Sequence, residues 1–145
     1  MRTVLSKVRE MVLPEVERHG PIEAWIIDDT SFPKQGQHSV GVAHQYCGQI
    51  GKQANCQVAV TLSVANHHAS LPVAYRLYLA KNWAEDQARR DKADVPAEIN
   101  FATKPEIALD QTRHHAPTAD LCSHRVLLVR CPCCSAMRHI RRSRL

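Results

Sequence analysis

The sequence predicts a mixed α/β domain: an N-terminal helix, an antiparallel meander of strands, one or two further helices and an irregular C-terminal segment. Three observations support this fold class. Apolar residues recur at helical spacing near the N-terminus, four short apolar segments separated by turn residues follow, and the composition changes near residue 110. A chain of 145 residues is long enough for one domain with its own core.

The first predicted element is an amphipathic helix over Thr3–Arg18. Pro14 lies inside this stretch and Gly20 follows its end, which is typical of a helix that stops there. The apolar residues at helical intervals are Val4, Leu5, Val8, Met11, Val12 and Val16.

Four strands are predicted next. The first, 24–29, is apolar and aromatic and ends in Asp28 and Asp29, and a loop from Thr30 to His38 is expected after it. The second and third, 39–46 and 57–64, flank turn residues. The fourth, 71–79, alternates apolar and more polar positions, as a half-buried strand does.

Two helix starts are predicted after the strands. Asn82 has Glu85 three residues later, and Thr103 has Glu106 three residues later with Pro105 in the first turn. Both spacings match a capping box, in which two side chains satisfy the free N–H groups at a helix start. The charged stretch between them, residues 85–94, is interpreted as a solvated face.

No run of apolar residues approaches the roughly 18 that a membrane helix needs. The first residues also lack the apolar core and cleavage site of a signal peptide. We therefore expect a cytoplasmic chain with reduced thiols and no membrane partner.

The net charge of +5 is unevenly distributed. Residues 1–110 hold 12 Lys and Arg against 13 Asp and Glu, whereas residues 111–145 hold 7 Arg, no Lys and a single acid, Asp120. The latter part also carries 4 of the 6 Cys and no Gly. This change divides the chain into residues 1–111 and a basic, Cys- and Arg-rich C-terminal segment, residues 112–145.

Asp28 and Asp29 are the candidate site on the residues alone. Carboxylates at the end of a buried strand stand on rigid backbone and can hold a metal ion. Such a pair is, however, more often a turn starter or helix cap. Successive strand residues point to opposite faces, so only one of the two can easily reach a given site.

A resemblance to a known family adds to this reading. The sequence resembles the start of the catalytic domain of bacterial insertion-sequence transposases of the DDE class, in order from about residue 9 to about residue 111. The segments that carry the resemblance are Trp25–Lys34, His38–Val42, Gln45–Gly48, Gly51–Val60, Ser63–Asn66, Ser70–Leu79 and Phe101–Leu109.

The resemblance implies an RNase H-like fold in which two Asp and one Glu hold two Mg²⁺ or Mn²⁺ ions and cleave and join DNA at the ends of the element. Asp29 matches the first catalytic Asp, and Asp28 would support it from the opposite face. For Lys34, His38 and Lys52, phosphate contact and a solvated loop position both remain open. The expected partners are DNA and intact transposase subunits, in the bacterial cytoplasm at the nucleoid.

The C-terminal segment departs from the family. The strand-like piece Val126–Val129 is followed by Arg130 instead of the second Asp, and the third acid would lie beyond Leu145. Reverse translation of residues 124–140 with GC-rich codons, read two nucleotides later, gives Val-Leu-Leu-Gly-Asp-Ala-Ala-Tyr, which resembles the missing strand. We therefore expect a truncated chain that is out of frame after residue 111 and inactive alone. The alternatives are a non-catalytic DNA- or transposase-binding fragment and a functionless pseudogene product.

Two other interpretations of the C-terminal segment are weaker. The thiols of Cys131, Cys133 and Cys134 with His139 could suggest zinc, but structural zinc sites usually pair cysteines in two separated halves. The arginines near the C-terminus could bind nucleic acid without sequence preference.

Overall fold

The computed structural model describes residues 2–115 and 125–128. It contains five strands and four helices in these ranges, so the mixed α/β fold class is confirmed. The elements are α1 (Arg2–Arg18), β1 (Ala24–Pro33), β2 (Ala43–Cys47), β3 (Lys52–Ala65), β4 (Ser70–Leu77), α2 (Lys81–Ala84), α3 (Gln87–Lys92), α4 (Lys104–His115) and β5 (Arg125–Leu128).

The strands form one sheet in the order β2-β3-β1-β5, and β4 also pairs with β3. β2 and β3 are antiparallel. β5 runs parallel to β1, with Ala24 opposite Arg125 and Ile27 opposite Leu128. β1 therefore has a hydrogen-bonded neighbour on each side, which makes it an internal strand. This arrangement is consistent with the partial RNase H-like domain that the resemblance implies.

The described residues divide into two compact units. The first comprises the described parts of Met1–Asp28, Thr61–Tyr75 and Ala108–Leu145. The second comprises Asp29–Val60 and Arg76–Ile107. β1, β3, β4 and α4 each contribute residues to both units.

The core of the first unit is formed by alternate residues of its strands. Because strand side chains alternate between faces, Leu62 and Val64, two apart on β3, reach the same apolar layer as Trp25 of β1. The consecutive β4 residues Val73 and Ala74 are also buried in this cluster. Asn66, in the turn between β3 and β4, donates from Nδ2 to the carbonyls of Val16 at 2.8 Å and Gly20 at 2.9 Å. This amide fastens the end of α1 to the turn.

Trp83 of α2 anchors one core of the second unit. Its ring packs with Val42 and Leu79, and its Nε1 donates to the carbonyl of Val42 at 2.7 Å. The chain can pass close to β4 here because residue 41 is glycine, with a φ of +76°. A Cβ at Gly41 would lie 2.9 Å from the carbonyl oxygen of Tyr78, closer than real contacts allow.

The charged stretch 85–94 is mostly exposed, as predicted, but Arg90 is buried. Its guanidinium donates to the carbonyls of Ala84 at 3.2 Å, Pro96 at 3.1 Å and Ile99 at 2.8 Å. A buried charge is tolerated when it is well hydrogen-bonded. Arg90 therefore holds the irregular chain that leads towards α4.

Some predicted boundaries are wrong. β1 continues to Pro33 instead of ending at Asp29, and β2 begins at Ala43 instead of residue 39. Asn82 is not a cap, because α2 begins at Lys81 and its N-cap is Ala80, which makes no side-chain cap. The capping side chain in this region is Asp86, which accepts from the backbone N–H of Arg89 at 2.9 Å.

The capping box at the start of α4 is confirmed. Glu106 accepts hydrogen bonds from the Thr103 backbone N–H at 2.7 Å and hydroxyl at 2.8 Å. The backbone N–H of Glu106 donates back to Thr103 Oγ1 at 3.4 Å. These bonds, the backbone one first, lower the pKa of the Glu106 carboxyl. The start of α4 is therefore fixed at Lys104.

No helix within residues 2–115 is long and apolar enough to cross a membrane.

Thr103→Ala should lower the free energy of unfolding by about 1 kcal/mol, because the substitution removes the hydroxyl that caps α4. Urea denaturation followed by circular dichroism measures the change. Thr112→Ala is the matched control, since Thr112 Oγ1 only donates back to the carbonyl of Ala108 within the same helix. Equal losses in the two variants would contradict a capping role for Thr103.

Candidate functional site

Asp29 lies on the internal strand β1, directly after Asp28. The two side chains leave the sheet on opposite faces. The side chain of Asp29 is only 16% exposed. The carbonyl of Asp28 accepts a hydrogen bond from Thr61 Oγ1 at 3.2 Å, which fixes the strand immediately before Asp29. The carboxylate of Asp29 therefore stands on rigid backbone.

The cation that contacts Asp29 is Lys104. Lys104 Nζ donates to Asp29 Oδ2 at 2.6 Å, and the side chain of Lys104 is 15% exposed. Charge-assisted hydrogen bonds of this length are stronger than those between neutral groups. The low exposure also limits screening by salt.

Helix α4 places Lys104 at its first residue. Lysine is unfavourable there on local grounds, because the N-terminus of a helix carries a partial positive charge. The neighbouring capping box nevertheless fixes the helix start at this residue. Contact with Asp29 is the physical reason why a lysine is accommodated at this position.

Two aromatic rings lie beside the ion pair. The Nζ of Lys104 is 5.6 Å from the centroid of the Tyr78 ring, within range of a cation–π interaction. The ring of Phe101 meets that of Tyr78 edge to face, with 6.5 Å between centroids. The ammonium is therefore held by both a carboxylate and an aromatic face.

Two buried thiols, Cys47 and Cys56, pack in the same unit with Val58 and Tyr78. Burial, with a further contribution from Cys47, raises the pKa of the Cys56 thiol to about 11. Lys104 lowers this pKa and Asp29 raises it, so the two charges of the ion pair oppose each other at Cys56. Both cysteines are free, in agreement with the expected reduced thiols.

The three other candidates lie at separate places in the second unit. Lys34 is exposed just after β1, where its backbone N–H donates to the carbonyl of Asn55 at 2.9 Å. Lys52 is exposed at the start of β3, opposite Cys47.

His38, the third of these candidates, lines an open cavity of about 270 Å³ with Trp83, Arg89, Lys92 and Ala93. The guanidinium of Arg89 lies 3.8 Å from the centroid of the Trp83 ring. Two basic side chains and a histidine therefore line this cavity together with the Trp83 ring.

Lys104 is the residue that the sequence analysis missed. It belongs to a segment that carries the family resemblance, but that segment was interpreted only as a helix start. A signal was present, because a lysine directly after a capping threonine opposes the helix dipole. The partner on the opposite side of the contact, 75 residues earlier, could not be identified from spacing.

The two metal ions that the resemblance implies do not fit the described residues. A two-metal site needs several oxygen ligands converging on one point. Residues 2–115 contain no group of three or more His, Cys, Asp or Glu side chains that could hold a metal ion. The Asp29 carboxylate, moreover, is engaged by an ammonium group.

The parallel strand β5 lies beside the first half of β1, and its last residue, Leu128, is opposite Ile27. In α/β sheets, ligand-binding side chains cluster where neighbouring parallel strands end. The sequence continues with Val129 and Arg130, neither of which is a carboxylate. These two residues and the cysteines considered for zinc lie outside the described ranges.

Lys104→Met should lower the free energy of unfolding by about 3 kcal/mol, because it removes the ammonium that contacts the mostly buried Asp29 carboxylate. Adding Asp29→Asn should restore part of this loss. Urea denaturation of the single and double variants measures the coupling. Lys81→Met is the control, since the exposed pair of Lys81 with Glu85 contributes about 0.5 kcal/mol at most. Additive losses at 29 and 104 would contradict the ion pair.

The raised pKa of Cys56 predicts a specific loss of stability at alkaline pH. The thiol ionises near pH 9.0 in the unfolded chain and near 11 in the folded one. The contribution of the protonated thiol to the free energy of unfolding is therefore complete below pH 9.0 and declines as the pH rises to 11. The slope of stability against pH in this window should be shallower in Cys56→Ala. An unchanged slope would show that the thiol has an ordinary pKa.

Comparison with known proteins agrees with the expected family. A family model described as DDE superfamily endonuclease matches residues 2–140, a range that includes Asp29, Lys104 and β5. No curated protein and no solved structure matches significantly. Because the match covers nearly the whole chain, the protein belongs to the DDE superfamily endonuclease family.

Proposed function

We propose that this chain takes part in DNA transposition as a portion of an insertion-sequence transposase, with Asp29 as the first of three acidic metal ligands. Members of the family act on DNA as endonucleases and generally depend on divalent metal ions. Such a role lies at the DNA of the bacterial nucleoid. The finer assignment goes beyond the family and rests on the environment of Asp29.

The observation that carries the proposal is the placement of the Asp29 carboxylate. It stands on an internal strand, is 16% exposed and binds a cationic group at 2.6 Å. A carboxylate costs energy to bury unless a cation is close. The fold therefore keeps a mostly buried carboxylate at the position that matches the first acid of the family. Asp28, on the opposite face, supports the strand through its carbonyl.

We further propose that the 145-residue chain does not cleave DNA by itself. Asp120 is the only acidic residue of the C-terminal segment, and it precedes β5 in the sequence. The metal would be either Mg²⁺ or Mn²⁺. One carboxylate compensates little of the charge of two such ions, so stable binding by this chain alone is not expected.

A second candidate function is non-catalytic binding of DNA or of intact transposase subunits. The observations that favour it are the exposed Lys34 and Lys52 and the cavity that His38 lines with Arg89 and Lys92. Cations on the surface contact phosphates without reading sequence. This candidate requires no completed metal site.

The abrupt change of composition supports a further proposal, that residues 112–145 are translated out of frame. The family match extends to residue 140, so a native segment is the competing interpretation. The nucleotide sequence decides between them. We expect the frame read two nucleotides later to encode an apolar strand followed by an Asp. A stop codon in that frame would refute the proposal.

Cleavage is tested by incubating the purified chain with Mg²⁺ or Mn²⁺ and a duplex taken from DNA flanking the gene. We expect no nicking by the wild-type chain or by Asp29→Asn. Nicking by the wild-type chain that Asp29→Asn abolishes would overturn the proposed inactivity and at the same time establish Asp29 as catalytic.

DNA binding is tested by fluorescence anisotropy with a non-specific duplex over a range of salt concentrations. Lys34→Gln and Lys52→Gln should each weaken binding and reduce the salt slope by about 1, since each removes one phosphate contact. Lys7→Gln is the matched control, because Lys7 is an exposed lysine of α1 paired with Glu10. If all three variants bind equally, Lys34 and Lys52 do not contact DNA.

A further inference from the structure

Lys104 obstructs the binding of a divalent cation to the Asp29 carboxylate. The ammonium lies 2.6 Å from Asp29 Oδ2, and both side chains are about 15% exposed. A Mg²⁺ ion would need to approach a carboxylate oxygen to roughly 2.0–2.1 Å. The ammonium occupies the cation position at Oδ2.

Electrostatic repulsion also opposes the binding of a divalent ion at the second carboxylate oxygen of Asp29. A divalent ion there would bring three positive charges to one carboxylate, in a setting where little water screens their repulsion. The residues described around Asp29 therefore accommodate the ammonium or the metal ion, but not both.

Two further features of the structure also help to position Lys104. Its ammonium faces the ring of Tyr78 at 5.6 Å, and the capping box of Thr103 and Glu106 fixes the turn of α4 from which it projects. Moving the ammonium away from Asp29 means giving up its contact with the Tyr78 ring as well as the ion pair. The ion pair is therefore a stable alternative to metal binding.

We propose that Lys104 is a built-in counter-ion that competes with divalent cations for Asp29, so that a metal binds this carboxylate only when Lys104 leaves it. The inference rests on the proposed role of Asp29 as a metal ligand. Lys104 acts through Asp29 and is a positioning residue: it holds the carboxylate in place while no metal is bound.

The test is Mn²⁺ binding without DNA, followed by water proton relaxation. Lys104→Met should bind Mn²⁺ at least tenfold more tightly than the wild-type chain, because it removes the ammonium from Asp29 Oδ2. Adding Asp29→Asn to Lys104→Met should abolish the gain. Because histidines and cysteines elsewhere also bind Mn²⁺, only the part that depends on Asp29 is counted.

Two further variants keep the proposal falsifiable if Lys104→Met folds poorly. Lys104→Arg retains the positive charge and should bind Mn²⁺ as weakly as the wild-type chain. In the wild-type background, Asp29→Asn should leave Mn²⁺ affinity unchanged. Lys81→Met, which removes an exposed lysine of α2, should also leave it unchanged.

The proposal is overturned if the wild-type chain binds Mn²⁺ through Asp29 as tightly as Lys104→Met does. It is also overturned if Lys104→Arg gains affinity, since the charge is then not what excludes the metal. Failure of this test is distinguishable from failure of the proposed function, because the DNA assays measure cleavage and DNA binding, whereas this test measures Mn²⁺ affinity without DNA.

Discussion

The pairing of Asp29 with Lys104 is the interaction on which the candidate site depends. It joins residues 75 positions apart, one on an internal strand and one at the start of a helix. Each charge is mostly buried and would be costly without the other. The contact links β1 to the start of α4, and its two charges shift the pKa of Cys56 in opposite directions.

The sheet provides the rigidity that the ion pair needs. β1 is hydrogen-bonded to β3, and its first part, Ala24–Ile27, also pairs with β5, so that part cannot shift without breaking two ladders. The parallel neighbour β5 comes from the part of the chain whose composition differs from the rest. The sheet therefore carries Asp29, the residue that we propose as the first acid of the family site, while the sequence after β5 continues with Val129 and Arg130, neither of which is an acid.

Local sequence patterns predicted much of this fold, but they could not predict contacts between residues that are far apart in the sequence. The capping box of Thr103 and Glu106 was predictable because its bonds span three residues. The prediction that Asn82 caps a helix was wrong, because the capping side chain in this region is Asp86, four residues later. β1 extends past Asp29 because Lys34 pairs with Asn55, a contact that spacing alone does not reveal. Lys104 was overlooked for the same reason, since its partner is distant in sequence.

The central claim is that Asp29 is a cation-binding carboxylate and that the ammonium of Lys104 occupies its cation position when no metal ion is bound. A crystal structure of the 145-residue chain grown with Mn²⁺ tests it most directly, because anomalous scattering locates the metal. The account predicts Lys104 Nζ within hydrogen-bond distance of Asp29 Oδ2 and no Mn²⁺ on that carboxylate. Mn²⁺ bound to Asp29 with Lys104 still in place would contradict it.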